Sequence, residues 1–323
     1  MKRLRSRALP LLVTIIVAVF AGGLWVEHWQ VYDYFRLRNY NPSSRVVQLA
    51  DDTTLNNSTR RLFYVNHPEL DDKSTFTEHC LQSEKTIVLG CFVPGQGIYI
   101  YNVTDSRLQG IVQVTAAHET LHAAYQRLSG REKQRVDDLI NQAYKQVDDQ
   151  RIRATVEDYR KNGADVTNEL HSILGTEVRN LPPELEQYYK RYFTDRGKIV
   201  SYSEHYEAVF SARKVKIAKA DKRLTELKSQ IDTTNVDLDA QSAQLKATKS
   251  QLEALAQSKQ YQTYNAAVPD YNASVRSFNS TVKSVQDMID EYNALVKERN
   301  DAVVEEGQLI KAIDSRPSTV PTE

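Results

Sequence analysis

The chain has 323 residues, with 42 basic and 42 acidic side chains and a formal net charge of zero. That balance leaves no electrostatic footprint for nucleic acid or an acidic substrate, and neither is expected as a partner. At 41% hydrophobic residues the chain can bury a sizeable core, and its length allows about two domains. Only 11 glycines and 9 prolines occur, and Leu, Ala, Glu, Lys and Gln dominate the second half, so a predominantly helical α+β protein is expected.

The chain opens on a basic segment, residues 1–7, containing Lys2, Arg3, Arg5 and Arg7. From Ala8 to Val26 there is no charge, a run long enough to cross about 30 Å of hydrocarbon as a helix. The basic flank predicts a cytoplasmic N-terminus and an extracytoplasmic bulk, with Trp25 and Trp29 at the far interface. A signal peptide cut after Ala21 is the alternative, but the apolar run continues past that point. The expectation is a retained single-pass anchor at residues 8–26 in the cell membrane. Cys80 and Cys91 are the only cysteines. In an oxidising compartment they are expected to pair, a bond worth roughly 3 kcal/mol by chain entropy.

Residues 27–200 form the expected catalytic domain. "RRLFYV", "KTIVLGCFV" and "GIYIYNV" are β-branched or aromatic runs, and the last two flank "PGQG", which predicts a hairpin. The run at 97–103 either offers an edge to an extended substrate or is a covered core strand. Next comes "GIVQVTAAHETLHAAYQRLSG", residues 110–130, with helical periodicity, Asp105 or Ser106 as its cap and Gly130 as its stop. On that helix His118 and His122 lie one turn apart on one face, where both imidazoles reach one metal ion at about 2.0–2.1 Å. Glu119 stands beside them as a base for water. The flanking Ala116, Ala117, Ala123 and Ala124 leave room for another helix to approach. The bland alternative is a pair of solvated surface histidines. Further helices follow over 131–147, 149–161, 165–180 and 182–193, the last opened by prolines.

A catalytic zinc needs a third protein ligand and an open fourth position. "VTNELHSILGTEV" offers Glu169, His171 and Glu177. HExxH followed on a later helix by Asn168-Glu169-Leu170-His171-Ser172 resembles the gluzincin metallopeptidases, whose thermolysin-like members carry the third ligand in an Asn-Glu-x-x-Ser context. The resemblance implies a small zincin-like domain, a Zn2+ cofactor held by His118, His122 and Glu169, and Glu119 as general base. Ile173 stands where that family places an acid that orients a ligand histidine, and Glu177 stays a rival for the third position. A metzincin third histidine is excluded, because Leu128 occupies its place. Tyr188, Tyr189, Tyr192 and His205 are candidates to stabilise an oxyanion, or are ordinary helix surface.

Residues 201–314 have a different pattern. Leu224, Ile231, Leu238, Leu245 and Leu252 recur every seven residues, as do Val268, Val275, Val282, Ile289, Val296, Val303 and Ile310. Tyr264, Tyr271, Phe278, Val285 and Tyr292 run beside the second series. Such heptads predict a coiled coil. Large tyrosines facing small Thr234, Gln241 and Thr248 favour an antiparallel hairpin turning near 258–269, with Pro269 in the first turn of the returning helix; a parallel homodimer is the alternative. Residues 315–323 are expected to be a disordered tail. The sequence thus predicts a membrane-anchored, extracytoplasmic zinc metallopeptidase acting on a peptide or protein, with a coiled coil open to an envelope protein partner. The alternatives are a non-catalytic envelope scaffold with a structural or inactive zinc site, and a zinc-dependent cell-wall amide hydrolase.

Overall fold

A computed structural model describes residues 28–80 and 87–316. Helices α1 (His28–Leu37), α2 (Ser44–Asp52) and α3 (Asn57–Val65) come first, then β1 (Glu69–Asp71) and α4 (Lys73–His79). The hairpin β2 (Gly90–Val93) and β3 (Gly97–Tyr101) leads into α5 (Ile111–Gln126), α6 (Gly130–Tyr144), α7 (Gln150–Lys161), α8 (Val166–Glu177) and α9 (Pro183–Tyr189). Two long helices, α10 (Arg196–Gln257) and α11 (Tyr261–Ile313), complete the chain. The expected class, predominantly helical α+β, is what these elements form. One compact unit comprises the described residues up to Ala208 together with those from Ala312; the other is Val209–Lys311.

In the first unit, short polar residues start the helices. Ser43, Asn56, Asp72, Ser129 and Asp165 each accept a backbone N–H three residues on, satisfying a donor that the first turn leaves unpaired. Asn56 explains why "RRLFYV" is helix and not strand. Its cap sets α3 going, and Leu62, Phe63 and Val65 are buried by tertiary packing that overrides their β-propensity. The sheet order is β1-β3-β2, with β1 parallel and β2 antiparallel to β3. The hairpin around "PGQG" is therefore present, and residues 97–101 form the covered central strand. The edge beside them is β2. Cys91 on that strand is bonded to Cys80 at the end of α4, as expected.

The motif helix begins later than its sequence suggests. Asp105 caps a single 3-10 turn, Ser106–Leu108, and α5 starts at Ile111 after Gly110, which holds φ at 98°. That left-handed value suits glycine, and a Cβ there would stand 2.6 Å from Tyr202 Cβ. Twelve of the 16 residues of α5 are buried, so the helix lies in the core without a solvent face and its histidines are not surface residues. It packs along α8, β2 and β3. Close approach to α8 runs through Gly175, where a Cβ would lie 2.5 Å from Leu121 Cδ1 and 2.8 Å from Tyr189 Cε1. Gly175→Ala is expected to destabilise the fold by about 1–3 kcal/mol through overpacking, although alanine alone would favour the helix by about 1 kcal/mol. An unchanged or higher urea midpoint would show that the contact gives way freely.

In the second unit, ion pairs link α10 to α11 in an antiparallel sense, from Arg213–Glu305 at one end through Lys216–Glu298 and Asp221–Arg299 to Arg223–Glu291. Exposed pairs contribute little stability each, but they fix which residues face one another. Leu224, Ile231, Leu238, Leu245 and Leu252 all point inward, as do Tyr264, Tyr271, Phe278, Val285 and Tyr292. The valine series holds in part: Val268, Val275, Ile289 and Val296 are half-buried. Val282, Val303 and Ile310 are 43%, 39% and 42% exposed, whereas Ala302 and Leu309, one residue earlier, are 2% and 0% exposed. An α-helix of 3.6 residues per turn drifts by about 20° per heptad, so toward the end of α11 the buried positions fall one residue before the valine series. Pro269 is inside α11, beyond its second turn and not in its first.

Two expectations at the ends of the chain need correction. Among the described residues no helix is long and apolar enough to cross a membrane, and the run from Ala8 to Val26 lies outside them. The first described helix, α1, has 10 residues and carries Asp33 and Arg36, about half the length a span requires. The membrane-anchored, extracytoplasmic placement does not stand on this structure. At the other end, Ser315 is fully buried, its hydroxyl donating to Val88 O at 2.5 Å, so the packed chain extends into the segment expected to be tail. Residues 317–323 lie outside the described residues.

Candidate metal centre

Two helices bring the expected ligands together. His118 and His122 project from α5, and Glu169 from the first turn of α8. One ligand atom from each lies within 4.8 Å of the other two. The Nε2 atoms of His118 and His122 are 3.6 and 3.7 Å from Glu169 Oε2. Those separations exceed a good hydrogen bond, and they are close to the roughly 3.3–3.4 Å between two ligands of a tetrahedral ion at 2.0–2.1 Å. The donor set, two imidazoles and one carboxylate, suits zinc.

The neighbours prepare these groups. His122 Nδ1 lies 3.0 Å from Asn168 Oδ1. An amide oxygen only accepts, so Nδ1 carries the proton and Nε2 keeps its lone pair for an ion. Asn168→Ala is expected to weaken zinc binding by about 10–100-fold in a chelator competition; wild-type affinity would show that Asn168 does not orient the ring. Burial works to raise the Glu169 pKa, but His118, His122 and the hydroxyl of Tyr159 outweigh it and hold the carboxyl below its usual range. Glu169 is thus an anion facing two imidazoles. Glu119 is 6% exposed and lies against β2, where a Cβ on Gly90 would stand 2.9 Å from Glu119 Oε1.

Other expected residues stand elsewhere. Glu177 is held by Arg151, whose Nη1 lies 2.8 Å from its Oε2 while Nε reaches Glu207; two turns of α8 separate it from Glu169. His171 is fully buried behind the site, and its pKa is pushed down to about 3 by burial, with His122 and His118 adding to the effect. It is therefore neutral, and its Nε2 meets Tyr188 OH at 2.9 Å. Tyr188 and Tyr192 share a hydrogen bond, and Tyr189 donates to His171 O. These tyrosines are interior props and not donors toward a substrate, while His205 is exposed on α10. Tyr159, which α7 brings to Glu169, carries no sequence signal: only tertiary packing puts it there.

A second group, Glu69, Asp71 and His79, has its ligand atoms equally close. Here His79 Nδ1 is 2.8 Å from Asp71 Oδ2, a hydrogen-bonded pair with no room for an ion between them. The ring also stacks on Tyr99 at 4.1 Å. This group ties α4 to β1.

Comparison of the chain with protein-family models, curated proteins and solved structures gives no match.

Proposed function

We propose that the chain is a zinc-dependent metallopeptidase of gluzincin type, hydrolysing peptide bonds in a peptide or protein substrate. One observation carries this reading: His118, His122 and Glu169 converge at ligand spacing beside a buried glutamate that follows the first histidine. In this reading the first unit is a zincin-like catalytic domain. A zinc ion bound to the three side chains would acidify water and polarise the scissile carbonyl. Glu119 takes the proton from water and returns it to the leaving amine, a task suited to a carboxylate held out of bulk solvent. Tyr159 donates its O–H to Glu169 and helps to hold that carboxylate in place. Opposite β3, where β2 has no strand partner among the described residues, its backbone is the one an extended peptide would pair with.

The two long helices are, in the same reading, an antiparallel coiled-coil hairpin, supported by the antiparallel sense of their ion pairs and the inward leucine and tyrosine stripes. Its task is to engage a protein partner, since none of the proposed metal ligands comes from it. The deciding experiment is metal analysis of the purified chain together with hydrolysis of a generic unstructured peptide. About one zinc per chain and chelator-sensitive cleavage are expected. Absence of zinc would overturn the reading; zinc without cleavage of a peptide or a cell-wall fragment would make the site structural.

A further inference from the structure

The strand that touches the proposed base is covalently tethered one residue away. Gly90 opens β2, and the position of its missing Cβ lies 2.5 Å from Thr115 Cγ2 and 2.8 Å from Glu119 Cγ. The backbone of β2 therefore packs directly against Glu119, and no side chain other than glycine's hydrogen fits between them. Among the described residues β2 is an edge strand, hydrogen-bonded in the sheet to β3. Its next residue, Cys91, is bonded to Cys80 at the end of α4. Cys80 belongs to a small cluster with Phe76 and Tyr99, against which Val88, Cys91 and Val93 pack. The ligands His118, His122 and Glu169 come from α5 and α8, elements that the disulfide does not join.

We propose that the Cys80–Cys91 disulfide, through Gly90, is a positioning device for Glu119, so that its reduction by a dithiol lowers turnover while zinc stays bound. This rests on the metallopeptidase reading. In the exchange, one thiolate of the dithiol attacks a protein sulfur, Cys91 being the less buried of the two, and displaces the other as a thiolate. The second thiol then attacks the mixed disulfide, releases the remaining protein thiol and leaves the reductant oxidised by two electrons. Once released, β2 keeps its ladder to β3 but is no longer fixed to α4. A base displaced by about 1 Å from its attack geometry loses on the order of 10²-fold in rate.

The test uses the full chain loaded with zinc, reduced with dithiothreitol, freed of reductant without oxygen and supplied again with zinc. The reduced protein is expected to hold zinc at the wild-type ratio, to show KM unchanged and kcat lowered by about 10²-fold, and to recover on reoxidation. The Cys80→Ser/Cys91→Ser chain should match the reduced protein. Gly90→Ala should lose turnover in either redox state, whereas Gly130→Ala, which meets nothing within 4 Å, should not. Unchanged kcat after reduction overturns the proposal. So does a parallel loss of zinc, which would mean that the disulfide merely holds the unit together. If the oxidised wild type cleaves no peptide, the metallopeptidase reading fails, and hydrogen exchange decides the tether separately. Faster exchange at residues 90–93 and 115–119 on reduction supports it; unchanged exchange refutes it.

Discussion

Replacing Glu119 by glutamine is expected to leave zinc in place and to lower peptide hydrolysis by about 10²–10⁴-fold. Glutamine keeps the size of the side chain and its fit against Gly90, but its amide cannot take a proton from water at neutral pH. Glu119 is buried between α5 and β2, so the loss is not readily made good by solvent. The measurement is kcat/KM on one peptide beside metal content of the same preparation. Turnover near wild type would assign the activity to another group or to a contaminant. Loss of zinc in the same variant would make Glu119 part of the metal's support.

The second large effect separates two carboxylates on one helix. Glu169→Ala is expected to abolish stoichiometric zinc binding, as are His118→Ala and His122→Ala, because two remaining protein ligands do not hold a catalytic ion. Glu177→Ala should keep its zinc. Its cost is structural: Arg151 loses the nearest of its three carboxylates, and breaking such a partly buried pair destabilises by up to about 3 kcal/mol. Metal analysis of dialysed protein reads the first effect and thermal unfolding the second. Zinc lost from Glu177→Ala and kept by Glu169→Ala would transfer the ligand role and refute the arrangement described for α5 and α8.

Local chemistry made much of this molecule legible in its sequence. "PGQG" between two β-rich runs produced the hairpin, two cysteines at short range produced the disulfide, and residues 118, 119 and 122 stand on one helix because their neighbours have helical spacing. Glu169 came from a motif on another helix, and the two helices meet. What stayed hidden depends on contacts far apart in the chain. Nothing near Gly90 announces that its backbone abuts Glu119, and Tyr159 looks like any tyrosine on an amphipathic helix. "RRLFYV" misleads because its β-branched and aromatic residues are buried by neighbours that also suit a helix. The valine heptads mislead only at Val282, Val303 and Ile310, because an unbroken period of seven marks a buried stripe only while the helix follows it.

The burial of Ser315 bears on how this protein is made. The four proposed site residues are all synthesised by position 169, and β2 much earlier, but the hydroxyl that grips Val88 O, two residues before Gly90, arrives only with the end of the chain. Residues 209–311 are thus an insertion between two parts of one unit, and closing that unit waits for more than a hundred residues to pass. A nascent chain with all four proposed site residues already translated still lacks a clasp on the strand beside Glu119. Stopping the chain near residue 200 would therefore leave the first unit in that unfinished state, whereas removing only residues 209–311 and rejoining the ends keeps the residues of the clasp.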